Sequence, residues 1–263
     1  MSNHKALEMF GRSGNPSLNA ETFSSGAADA TFAASAPAAT MTLQGTVNKT
    51  GILLALVVIS ASYTWSMFFS SGNPATVTPL AVGGALVGLV LALVTMFKKQ
   101  WSGITAPIYA IAEGLFLGAI SAIFEAKFPG IVIQAVGLTL GTLASLLFLY
   151  KTGIVKPTEN FRLMVTSATM GIGLLYLVSI IMNMFGSGGI GFIHSNGLFG
   201  IGFSLFVVGI AALNLVLDFD FIEQGSEMGA PQYMEWFGAF SLMVTLIWLY
   251  LEMLRLLAKL RSR

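Results

Sequence analysis

The chain contains no cysteine, only two histidines, and charged side chains at 10% of its 263 positions. Without cysteine there is no disulfide, no iron–sulfur cluster and no thiolate zinc site. His4 and His194 are far apart in the sequence, so one chain cannot build a histidine metal cluster. Only an all-oxygen cation site stays open. A net charge of +1 offers nothing to hold nucleic acid. The charge is also too sparse for a soluble surface, which needs about 25–35% charged residues. No nucleophile, base and orienting group stand in a recognisable set, so the sequence is not read as an enzyme.

What is present is apolar: 55% of residues are hydrophobic and the mean hydropathy is +0.80. That is membrane composition. Most of the 29 glycines lie inside apolar runs, where they let helices approach closely. The 13 methionines are scattered and read as adaptable packing. Residues 1–46 are rich in Ala, Ser, Thr and Gly and read as a disordered tail, with the membrane domain over 47–263. The tail starts polar, unlike a signal peptide.

Seven segments are apolar over about 20 residues, the length a spanning helix needs. They are Gly51–Ser70, Thr76–Phe97, Thr105–Phe124, Gly130–Tyr150, Leu163–Phe185, Gly197–Leu217 and Tyr233–Leu257. None alternates like a barrel strand, so the fold expected is all-α, a polytopic membrane bundle of seven helices. The Gly186–Gly191 stretch is glycine-rich but joins two membrane helices, so it is not a nucleotide loop. Trp65, Trp101, Tyr150 and Trp236 lie near segment ends, as interfacial anchors do.

Lys49, Lys98, Lys99, Lys151, Lys156 and Arg162 share one side of the expected topology, which makes it the cytoplasmic side and puts the N-terminus there. Against this, a fully spanning seventh helix would export Arg255, Lys259, Arg261 and Arg263. Either it spans against the rule, or it re-enters.

Acidic residues carry the chemistry. A carboxylate at the centre of a spanning helix costs roughly 2.5–3.5 kcal/mol on insertion scales, less near an end. On the sixth segment Ser204, Ala211, Asn214 and Asp218 fall on one face, while Asp220 points elsewhere. Asp218 is therefore read as facing inward, and Asp220 as either a second pathway acid or a helix-end charge. Glu235 opens the seventh segment, and the short preceding connection would bring it near Asp218. Two carboxylates meeting there cannot both ionise cheaply, so the pair would share a proton and sense pH. Glu252 is accounted for by Arg255 one turn later. Glu113 sits mid-segment beside a small-residue seam, Ala106, Ala110, Gly114, Gly118 and Ala122, with Tyr109 one turn away as a hydrogen-bond partner. The seam itself is structural. Apart from Arg255 near the end of the seventh segment, no Lys or Arg falls inside an apolar run, so these acids point to a cationic ligand.

The sixth-segment string Leu-Val-Leu-Asp-Phe-Asp-Phe-Ile, the closing Tyr-Leu-Glu-Met-Leu-Arg-Leu-Leu and the third-segment Ala-Pro-Ile-Tyr-Ala-Ile-Ala-Glu-Gly-Leu-Phe-Leu-Gly together resemble the Bax inhibitor-1 (transmembrane Bax inhibitor motif) family, in a bacterial branch. The likeness covers roughly residues 45–260. It implies a central seventh helix wrapped by the other six, and a pH-sensitive calcium leak gated by an aspartate pair between helices six and seven. Asp218 matches the first aspartate. Asp220 replaces the family's usual Gln, and the second aspartate has no clean match. Glu235 is the preferred counterpart, and Thr245 fits an ungapped alignment but cannot ionise. A basic residue that some members place in helix two is absent.

The expected function is thus a pH-sensitive calcium leak in a bacterial plasma membrane. Asp218, Glu235, Glu113, Asp220 and Asn214 would form the ion pathway, and Asp218 with Glu235 would meet the metal. Calcium is the transported ion, and no resident cofactor is expected. The alternatives are a proton-coupled cation exchanger, for which no inverted repeat is visible, and a non-conducting membrane partner of a protease or survival machinery. The bilayer, calcium ions and protons are the expected partners, with a membrane protein as a further one.

Overall fold

The computed structural model describes residues 40–186 and 189–262; most of the expected N-terminal tail, residues 1–39, lies outside the described residues. Seven helices are long and apolar enough to cross a membrane. They are α1 (Leu43–Ser71), α2 (Pro74–Phe97), α3 (Ser102–Lys127), α4 (Ile131–Lys151), α5 (Glu159–Met184), α6 (Leu198–Glu227) and α7 (Met234–Arg261). A single helical turn, Gly191–His194, precedes α6, and a 3-10 turn, Lys99–Trp101, precedes α3. The described residues form no strand, only one isolated bridge between Thr40 and Pro231.

Local sequence sets the helix ends. Thr42, Asn73 and Thr158 cap α1, α2 and α5 by accepting from the backbone N–H groups of Gly45, Ala75 and Phe161. Pro74 takes the first position of α2, where its missing N–H costs nothing. Gly72 ends α1 in the left-handed region, with φ 64°.

The helices are apolar almost all round, so polarity rather than hydrophobicity marks the inner side. On α1 the buried set Thr46, Thr50, Leu53, Val57, Ser60, Thr64 and Phe68 recurs every three or four residues. On α2 it is Val77, Gly84, Gly88 and Thr95. Leucines and valines such as Val82, Leu86 and Leu93 face outward, as lipid contact requires. Buried hydroxyls on α1 are satisfied locally: Thr50 and Ser60 donate to carbonyls four residues earlier.

The chain divides into two compact units, and α6 and α7 contribute to both. One unit holds α1, α2 and α3 with residues 221–244. Here α3 packs against α1 and α2. A methyl group on Gly114 would strike Ser60 Oγ and the Val57 carbonyl, and one on Gly118 would strike Ala61 O and Thr64 Oγ1. The small-residue seam therefore brings helix backbones together. Thr95 Oγ1 donates to Thr105 Oγ1 at 2.7 Å, linking α2 to α3.

The other unit holds α4, α5, residues 198–220 of α6 and residues 245–261 of α7. Ile172, Val207 and Ile210 form its apolar centre, with Tyr176, Phe203 and Trp248 packed against them. α7 is the most enclosed helix, with 78% of its most apolar window buried against 17–56% in the others. It runs unbroken for 28 residues, about 42 Å at the α-helical rise, enough to span the bilayer outright.

The described part of the tail corrects its expected boundary. Met41 is 2% exposed, and its N–H donates to the Ala230 carbonyl at 2.6 Å. Helix α1 starts at Leu43, so residues 41–46 belong with the membrane helices.

Candidate functional site

Residue spacing makes the facing surfaces of α6 and α7 polar. Thr245 Oγ1 donates to Asp218 Oδ2 at 2.6 Å. Fourteen residues earlier on α6, Ser204 Oγ accepts from Lys259 Nζ at 2.9 Å, fourteen residues later on α7. The helices are therefore antiparallel in constant register, and the heptad-spaced sets Ser204, Ala211, Asp218 and Thr245, Glu252, Lys259 face each other over about 21 Å. This is a polar ladder inside an apolar bundle.

At the first rung Asp218 is fully buried and Thr245 nearly so. One turn along α6, the buried Asn214 donates through Nδ2 to Thr169 Oγ1 on α5 at 2.7 Å and to the Ile210 carbonyl at 2.9 Å. Its Oδ1 has no hydrogen-bond partner, and neither has Thr166 Oγ1 on α5. Thr169 pairs with Asn214 and Arg162 with Asp220, so α5 and α6 also run antiparallel, and this register sets Thr166 at the level of Asp218. The layer holds a carboxylate and two unmatched acceptors. A buried acceptor left unmatched costs about 1–3 kcal/mol.

At the middle rung Glu252 is 2% exposed. Its Oε1 accepts from Tyr176 OH at 2.9 Å and from Arg255 Nη1 at 2.7 Å, while Oε2 has no hydrogen-bond partner. The expected Glu252–Arg255 pair forms, with Tyr176 as its third member.

Glu235 lies elsewhere in function. In the first turn of α7 it accepts from the Thr42 N–H at 2.9 Å and Thr42 Oγ1 at 2.8 Å, and it forms an ion pair with Lys49. Lys49 also lies over the Trp236 ring. A methyl group on Gly45 would strike the Glu235 carboxylate. Sequence pairs Glu235 with Asp218; the partners that Glu235 has within its own compact unit are Thr42 and Lys49. The α7 residue that donates to Asp218 is Thr245, within the other unit. Glu235 clamps the start of α1 to the start of α7.

Asp220 pairs through Oδ2 with Arg162 Nη2 at 2.6 Å, seven residues before the end of α6. Glu113 is half-buried above Gly88 of α2 and makes no ion pair or hydrogen bond with a described residue. Tyr109, its expected partner, instead packs edge-on against Phe240, with ring centroids 5.0 Å apart. The expectation that the acids lack basic partners is corrected for two of them: Lys49 and Arg162 are paired with Glu235 and Asp220. Among the described residues, no three histidine, cysteine, aspartate or glutamate side chains gather to hold a metal ion.

The sequence reading placed Thr245 second and passed over Thr166, Thr169 and Lys259. The i, i+7, i+14 spacing of Thr245, Glu252 and Lys259 was the available signal.

A family model described as Bax inhibitor 1 like matches residues 15–262. No curated protein and no solved structure matches the chain. With a match over nearly its whole length, this seven-helix chain belongs to the Bax inhibitor-1-like family.

Proposed function

We propose that the protein is a pH-sensitive cation leak pathway, with calcium as the conducted ion and Asp218 as the carboxylate that attracts it. The observation that carries this reading is the layer around Asp218: a fully buried carboxylate accompanied by two buried acceptors, Asn214 Oδ1 and Thr166 Oγ1, that lack partners. Unpartnered oxygens beside a carboxylate in a low-dielectric interior are stabilised by a hard cation or by the water that accompanies one. A carboxylate at such a point also makes passage depend on its protonation. Calcium as the ion, and pH as the signal, are supported by the family.

We place the protein in a bacterial plasma membrane with its N-terminus in the cytoplasm, because Lys98, Lys99, Lys151, Lys156 and Arg162 gather on one side of the topology. Seven spans then put the C-terminus outside. The basic residues that argued against this are largely engaged: Arg255 pairs with Glu252, Lys259 is turned inward and Arg261 donates to Gln134 at 2.9 Å.

The test is calcium flux into liposomes holding the purified protein. Asp218→Ala should lose at least about tenfold of the flux, a difference near 1.4 kcal/mol. Unchanged flux in that variant, or no flux in the wild type, contradicts the reading. Flux that requires an opposing proton gradient would instead indicate an exchanger.

A further inference from the structure

The last rung of the ladder is unlike the other two. Lys259 is 4% exposed, and its ammonium donates to the Ile193 carbonyl at 2.6 Å, the Gly200 carbonyl at 2.9 Å and Ser204 Oγ at 2.9 Å. An ammonium has three donors and no acceptor, so all three are used. No carboxylate is among these partners. A buried charge is more often held by an opposite charge, whereas carbonyl and hydroxyl dipoles are how proteins hold desolvated monovalent cations.

The oxygens are held in place. Ile193 lies in the single turn Gly191–His194 before α6, too short for its carbonyls to find helical donors, and Gly200 lies in the first turn of α6. A methyl group on Gly200 would strike the Ser195 carbonyl, so the loop passes too close for any side chain there. Two of the three oxygens are thus backbone carbonyls, and the third is the Ser204 hydroxyl.

We propose that the Ile193, Gly200 and Ser204 oxygens form a monovalent-cation site that the chain fills with its own Lys259 ammonium, a tethered cation closing that end of the ladder. Removing the tether leaves a site for potassium or a small alkylammonium. Lys259→Ala deletes the equivalent of propylammonium and opens the cage. Lys259→Met keeps an apolar chain of similar length, so it fills the space and admits no ion.

The test is thermal unfolding of the full-length protein in detergent, in chloride salts of choline, potassium and propylammonium. At about 100 mM salt, Lys259→Ala should unfold about 3 °C or more higher in potassium or propylammonium than in choline. Wild type and Lys259→Met should not distinguish the salts. Where Lys259→Ala cannot be extracted folded in choline, recovery in potassium or propylammonium supports the proposal equally well. Equal behaviour of Lys259→Ala in all three salts, including failure in all three, overturns it. So does a matching salt preference in Lys259→Met. The readout does not involve conduction, so its failure and the failure of the leak reading are separate results.

Discussion

Two buried acids stand in contrasting surroundings, one in each compact unit. Glu235 has a donor set that fits it: a backbone N–H, a hydroxyl and a lysine ammonium. Asp218 accepts from the Thr245 hydroxyl in a layer that also holds an amide oxygen, Asn214 Oδ1, and a hydroxyl, Thr166 Oγ1, without hydrogen-bond partners. A carboxylate matched by its donors holds structure together. One that shares its layer with unpartnered polar groups is, on the proposed reading, where a passing ion is met. Both acids are under 4% exposed, so burial does not separate the roles; the groups that share their surroundings do.

The largest effect is expected at the matched acid. Glu235→Ala strands Lys49 and two Thr42 donors in a largely buried setting and should cost about 3 kcal/mol, read as a lowered Tm in detergent. Gly114→Ala, in the same unit, forces α1 and α3 apart at Ser60 and Val57 and should cost about 2 kcal/mol by the same measurement. Conducting properties per folded molecule should survive both.

Asp218→Asn should do the reverse. It retains an acceptor for Thr245 and removes the charge, so stability should change by less than about 1 kcal/mol while flux falls at least tenfold. A large loss of stability with normal flux would reverse the contrast drawn between the two acids. The smallest effect belongs to Arg162→Ala, which frees the partly exposed Asp220 and should cost about 0.5 kcal/mol, with flux retained.

Much of this architecture was legible in the sequence because membrane helices announce themselves by length and apolarity. Asp218 was legible too, since Ser204, Ala211 and Asn214 mark its face of α6 without any knowledge of neighbours. The partner of Glu235 was not, because Lys49 and Thr42 are far away in sequence and Thr42 fell in a stretch whose composition reads as tail. Apolar periodicity also gives no help where helices are apolar all round, as α2 is; there glycine and threonine identify the packed side. Lys259 was misplaced for a related reason. A lysine near a C-terminus counts as a solvated charge until its heptad spacing from Thr245 and Glu252 is set against the matching spacing on α6.

The most direct test of this contrast sets wild type, Asp218→Asn and Glu235→Gln side by side in liposomes and measures calcium flux per folded molecule across a pH series. The account predicts that Glu235→Gln keeps both the flux and its pH dependence, while Asp218→Asn loses at least about tenfold of the flux and leaves a residue insensitive to pH. Wild-type flux and pH dependence in Asp218→Asn, or their loss in folded Glu235→Gln, would contradict it.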